Sequence, residues 1–230
     1  MTYEWNDILI VGDSFCAERT MPVDWPQIFT LHLTGNKFEK DQLPRGQGYG
    51  GASWWSARKK LLDELLINPV KVLVVCHTEP FRIPNDDALS LNTKSVELGD
   101  IWNPLGVKSP SENFIKAARG YYEYIICENF HLWAYRQWFN EIDKIAVDNN
   151  IEKVVHFFCF RGDYNNHIFS RGITMSIPLI DLQQSAVWKK NETRNHFLPA
   201  QNLEFGVKLA TVVKNYPGDG VRLNIKLIGK

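Results

Sequence analysis

A mostly parallel α/β sheet covered by helices on both faces is the fold this sequence predicts, and three observations predict it. Apolar runs of strand length recur over Ile8–Gly12, Val70–Cys76 and Lys153–Phe160, and each is a continuous block rather than an alternation, as a strand buried on both faces requires. Between them lie stretches whose apolar residues repeat at three and four, the period of a helix with one buried face. Each run also stops at polar residues, first Asp13-Ser14, then His77-Thr78-Glu79, then Arg161-Gly162-Asp163, so that side chains capable of chemistry stand at carboxyl ends of strands, where open α/β sheets bind ligands. The expectation is one three-layer α/β/α domain over residues 1–230, with a sheet of about five strands and a loop and long helical insertion at about 85–150.

In chain order, Ile8-Leu9-Ile10-Val11 runs into Gly12-Asp13-Ser14 and ends the first strand at a polar turn. Pro22–Leu33 is expected to be a helix with Trp25, Ile28, Phe29, His32 and Leu33 on one side, stopped by Gly35-Asn36. Residues Lys37–Gly48 read as a short strand or loop leading to the Gly-rich turn Gly50-Gly51-Ala52-Ser53. Ser53 is placed to cap a helix reaching Ile67, with Trp54, Ala57, Leu61 and Leu65 inward. The second strand, Val70–Cys76, follows, and then a loop over Asn85–Pro110 rich in Asn, Ser, Asp and Gly. A helical stretch from Ser111 to Asn149, broken near Asn129, carries the stripe Leu132, Tyr135, Phe139, Ile142 and Ala146. After the third strand, Arg161-Gly162-Asp163 is read as a plain strand-end turn. Ile177–Leu182 reads as a short strand or the start of a helix ending near Trp188, with a polar loop over Lys189–Asn195 after it. Pro199–Lys214 is a final helix with Leu203, Val207 and Ala210 inward, and Val221–Ile228 is suited to an added edge strand.

Bulk composition excludes several function classes. With 44% hydrophobic and 23% charged residues and a formal net charge of zero, the chain resembles an ordinary globular protein and lacks the basic excess of a nucleic-acid binder. The four cysteines, Cys16, Cys76, Cys127 and Cys159, show no metal-site or disulfide spacing, and three of them lie in or beside apolar runs, where thiols pack as small hydrophobes. Glu4 and Asp7 stand where a secretory signal carries positive charge, and no apolar run is long enough to span a bilayer. A cytoplasmic location with no membrane partner is expected; a virion-associated setting would read the same way. Aromatic residues make up 13% and include eight Trp, read as core in preference to a carbohydrate-stacking surface.

Ser14 is the candidate nucleophile, since it follows a buried strand directly. A serine hydroxyl needs a base within reach and donors aimed at the developing oxyanion. Cys16, two residues on, is a rival nucleophile where a helix is expected to begin, a place that lowers a thiol's pKa. Asp13 is suited to holding the turn, and Arg82 to binding a substrate carboxylate or phosphate or pairing with Glu79; the two form the candidate substrate-binding set.

Gly-Asp-Ser near the start, Gly50-Gly51, the stretch Cys76-His77-Thr78-Glu79 and Arg194-Asn195-His196 before the last helix resemble, in this order, the SGNH hydrolases, the GDSL esterase and lipase family. The resemblance implies a flavodoxin-like sandwich and an esterase that needs neither metal nor organic cofactor. It assigns Ser14 as nucleophile and His196 as acid/base, with an oxyanion hole from the Ser14 amide, the Gly51 amide with Gly50 as the alternative, and the residue at 78. In the family the third block carries asparagine where this sequence has Thr78, and the last block carries aspartate three residues before the histidine, where this sequence has Thr193. Glu192, one position off, is the candidate orienting group; the alternative is a Ser-His dyad oriented by a backbone carbonyl. The function so implied is hydrolysis of a small acyl ester, such as an O-acetyl group on a carbohydrate, through an acyl-Ser14 intermediate. The alternatives are a catalytically silent member of the same fold that binds a glycan or a protein, and acyl transfer through Cys16.

Overall fold

In the computed structural model, residues 3–17, 24–35, 44–48, 52–82, 111–182 and 197–227 are described. The expected loop over 85–110, Gly50, Gly51, the polar loop over 189–195 and His196 lie outside them.

Six parallel strands form the centre: β1 (Ile8–Gly12), β2 (Arg45–Gly46), β3 (Val72–His77), β4 (Lys153–Phe158), β5 (Ile173–Met175) and β6 (Val221–Leu223), in the spatial order β2-β1-β3-β4-β5-β6. The helices are α1 (Trp25–Thr34), α2 (Trp54–Ile67), α3 (Glu112–Gly120), α4 (Glu128–Asp148), the single turn α5 (Leu179–Leu182) and α6 (Pro199–Lys214). The architecture is therefore the predicted three-layer α/β/α sandwich, with six strands where about five were expected. β6 is the expected edge strand; β5 has no counterpart among the sequence expectations, because three residues between Gly172 and Ser176 carry no periodicity.

Alternation along each strand divides the core into two. On one face Ile8, Ile10, Val72, Val74, Val155 and Phe157 pack with Trp25, Phe29, Phe205, Leu209 and Val213 of α1 and α6. On the other, Leu9, Val11, Leu73, Val75, Val154 and Phe158 pack with Leu61 of α2 and Tyr135, Trp138, Phe139 and Ile142 of α4. Each such side chain contributes about 1.5–3 kcal/mol of transfer free energy, so both layers hold the sheet.

Local signals behave as their chemistry requires. Ser53 caps α2, accepting from the Ser56 amide at 3.3 Å. Gly35 ends α1 in the left-handed region at φ 71°. The long helical stretch breaks at Ile126 and Cys127, after a π-helical turn over Tyr121–Ile125, slightly ahead of the expected Asn129. Two expectations are corrected. His32 is exposed, because the buried stripe of α1 follows Trp25, Phe29 and Leu33 and leaves the turn beyond Ile28 at its edge. Leu203 of α6 is also exposed, since the buried stripe runs through Asn202, Phe205, Leu209 and Val213, where Asn202 accepts a hydrogen bond from the Trp25 amide at 3.1 Å. Among the described residues no helix is long and apolar enough to cross a membrane.

Candidate active site at the switch of strand order

The chain leaves β1 toward β2 on one side and returns to β3 on the other, while α1 and α2 cover opposite faces. Between β1 and β3 the strand order switches direction, and the carboxyl ends at such a switch are where open α/β sheets bind ligands. The residues facing that place are Asp13–Cys16 after β1 and Thr78–Arg82 after β3. The topology thus brings together Asp13, Ser14, Thr78 and Arg82; Gly51, Glu192 and His196 are outside the described residues.

Ser14 opens a short 3-10 turn over Ser14–Cys16 and is 8% exposed. The turn is held by Asp13, whose Oδ1 accepts from the Phe15 amide at 3.0 Å while its carbonyl accepts from the Cys16 amide at 3.1 Å. Gly12 before it sits at φ 153°, and a Cβ there would lie 2.4 Å from the Cys76 carbonyl oxygen, so only glycine lets β1 end this close to β3. Gly48 is crowded in the same way: a Cβ would meet the Asp13 carbonyl oxygen at 2.2 Å. Behind the turn, the Trp25 indole donates to the Phe15 carbonyl at 2.6 Å.

The Asp13 carboxylate is completely buried and collects donors from several segments. Besides the Phe15 amide, Thr78 Oγ1 donates to Oδ2 at 3.2 Å, the Cys159 thiol donates to Oδ1 at 3.1 Å, and Arg82 Nη1 lies 3.7 Å from Oδ2. Asp13 therefore holds the turn, as its position suggested. Thr78 is fixed twice, by this bond and by the Tyr135 hydroxyl, which donates to the Thr78 carbonyl. A threonine hydroxyl carries one hydrogen, and here Asp13 takes it, so in this arrangement the Thr78 side chain does not offer that hydrogen to an oxyanion.

Arg82 takes the ion-pair alternative: Nε donates to Glu79 Oε1 at 2.9 Å, Nη1 donates to the Ala52 carbonyl at 3.2 Å, and the guanidinium lies over the Phe160 ring at 5.1 Å. Flanked by two carboxylates, the cation is already compensated, which disfavours a further anion.

Cys16 is corrected as a nucleophile. It is wholly buried, its thiol donates to the Asp13 carbonyl at 3.4 Å, and burial pushes the free thiols of Cys16, Cys76 and Cys159 up, away from the thiolate form. Sequence reasoning saw these residues as packed hydrophobes and missed that Cys159 donates to Asp13; they are 146 positions apart, and no local pattern joins them.

Three of the described histidines, His77, His156 and His131, are engaged in hydrogen bonds away from Ser14. His77 and His156 share a hydrogen bond at 3.1 Å, and His156 Nε2 meets the Arg171 carbonyl at 2.9 Å. A carbonyl only accepts, so His156 donates from Nε2, His77 donates to His156 Nδ1, and His77 Nδ1 is left a buried acceptor without a partner. Burial pushes both rings toward the neutral form, His156 down to about 3. His131 bonds the Tyr121 hydroxyl at 2.6 Å. The residue after His196 in sequence, Phe197, is fully buried, and its ring meets that of Phe15, the residue after Ser14, edge-on with centroids 6.2 Å apart. Among the described residues, no group of three or more His, Cys, Asp or Glu is arranged to hold a metal ion.

No family model, no curated protein and no solved structure matches this chain.

Proposed function

We propose that the protein is a serine esterase of the SGNH type that cleaves a small acyl ester, with Ser14 as nucleophile and His196 as acid/base. The observation that carries this reading is the packing of Phe197 against Phe15. It ties the chain immediately after His196 to the turn that carries Ser14. In the proposed reaction His196 takes the proton of Ser14 as its Oγ attacks the ester carbonyl. The oxyanion is met by the Ser14 and Gly51 amides. His196 then returns the proton to the leaving alcohol, and water attacks the acyl-Ser14 carbonyl with His196 again acting as base. Glu192 is the proposed orienting group for His196.

A carbohydrate ester is favoured by where the exposed aromatics lie. Trp55 is in the first turn of α2, Tyr124 in the π-helical turn, and Phe130 and Trp133 in the first turns of α4; all four are exposed. In a parallel sheet these helices start at the carboxyl edge, the Ser14 end. Of the exposed aliphatics, Leu66, Ile67 and Val147 are at the other ends of the same helices, while Ile125 lies beside Tyr124 in the π-helical turn. Aromatic faces flanked by exposed Asn129, Gln137 and Asn140 suit the mixed apolar and hydroxyl surface of a sugar.

The test is hydrolysis of p-nitrophenyl acetate and of acetylated oligosaccharides by the wild-type protein and by Ser14→Ala. Turnover that disappears in a folded variant supports the proposal; unchanged turnover removes Ser14 from it. A second reading, a catalytically silent protein of this fold that binds a glycan or a protein, is favoured by one observation, the commitment of the Thr78 hydroxyl to Asp13. It requires saturable binding with no hydrolysis of any ester.

A further inference from the structure

We propose that Arg82 is a positioning residue whose guanidinium locks the ends of β1 and β3 and the start of α2 into one arrangement around the Ser14 turn. The role in catalysis rests on the esterase reading; the role in fixing the turn does not.

Three contacts and a stacked ring define the lock. Nη1 lies 3.7 Å from the Asp13 carboxylate after β1 and donates to the Ala52 carbonyl before α2, while Nε donates to Glu79 after β3. The face of the guanidinium rests on Phe160, which follows β4, and Phe160 in turn meets Phe15 edge-on with centroids 5.7 Å apart. One side chain therefore touches the chain beyond three strands and the segment entering α2, while being only 5% exposed.

A buried ion pair is weak evidence for stability, because apolar side chains of the same volume often serve as well. What a guanidinium adds is a rigid planar fork that bonds in several fixed directions at once. Here those directions end on Asp13 after β1, Glu79 after β3 and Ala52 before α2. Around Asp13 the same logic continues: its other donors come from its own turn, from Thr78 after β3 and from Cys159 after β4. Asp13 and Arg82 together make the turn that carries Ser14 a joint of the sheet's ends rather than a loop free to find its own geometry.

The deciding variant is Arg82→Lys, which keeps a positive charge near Asp13 and removes the fork. Hydrogen exchange of the full chain should show residues 13–17 and 52–53 exchanging at least about tenfold faster than wild type, with α4 and α6 unchanged. On p-nitrophenyl acetate, kcat should fall about tenfold or more with KM little altered, the signature of a displaced nucleophile rather than lost binding. Unchanged exchange at both segments overturns the proposal, and so does uniform acceleration through α4 and α6, which marks a general loss of stability. Should the lysine variant not fold, Glu79→Gln, which weakens one arm of the lock, decides by the same exchange measurement: acceleration confined to those segments supports it and wild-type rates overturn it. A wild-type protein without esterase activity defeats the esterase reading alone, since hydrogen exchange reports on the lock without any substrate.

Discussion

Asp13 shows how much of this site is decided at the level of single atoms. Its buried carboxylate takes hydrogen bonds from Phe15, Thr78 and Cys159, so removing one donor leaves lone pairs in a place water does not reach. Thr78→Val is expected to destabilise the protein by about 1–3 kcal/mol, seen as a lower denaturation midpoint with unchanged slope in urea. The thiols make a second prediction. Cys127 is exposed whereas Cys16, Cys76 and Cys159 are buried and held as thiols. Iodoacetamide on the native protein should modify Cys127 and no other cysteine, as read by peptide mass mapping; fast modification of Cys16 would contradict the burial described. Ser14 and the polar residues after each strand were legible in the sequence because apolar runs end there. Their partners were not: Cys159, Tyr135 and Phe160 reach the site through tertiary contacts across many residues.

At the scale of elements, apolar blocks and caps carried the information. β1 and β4 stand within the expected runs and β3 reaches one residue past its run, to His77, each being buried on both faces, and α2 and α6 match because Ser53 and Pro199 mark their starts. Helix faces were harder to read. The stripe of α6 is set by its partner: Gly206 lies against α1 so closely that a Cβ would meet Ile28 Cγ2 at 2.7 Å and the Trp25 carbonyl oxygen at 3.0 Å. No feature of α6 alone announces that contact. Gly206→Ala should therefore cost about 1–3 kcal/mol despite alanine's better helix propensity, measured as a loss of thermal stability. An unchanged or raised melting temperature would mean that the two helices can separate without penalty.

For the whole molecule, strand order and register create what no segment encodes. Cys76 and Cys159 face one layer and His77 and His156 the other because β3 and β4 align Val75 with His156. The two histidines make stability depend on pH. Their folded forms are neutral, with proton affinity lowered by burial, while in the unfolded chain each takes up a proton near its ordinary value of about 6.5. The unfolded state thus binds more protons below that value, and stability is lost as pH falls from about 6.5. For His156, lowered to about 3, the loss at pH 5 is about 2 kcal/mol. Urea titrations between pH 7 and 5 should show the decline, and His156→Gln should make it shallower, with the share from His77 left.

Reaction of the purified protein with a fluorophosphonate, followed by peptide mapping, separates an activated Ser14 from an ordinary turn serine. Such reagents label serines activated by a base and largely spare ordinary hydroxyls. A single adduct on Ser14, lost in His196→Ala, is expected. A folded protein that takes up no label, or takes it up at another residue, would contradict it.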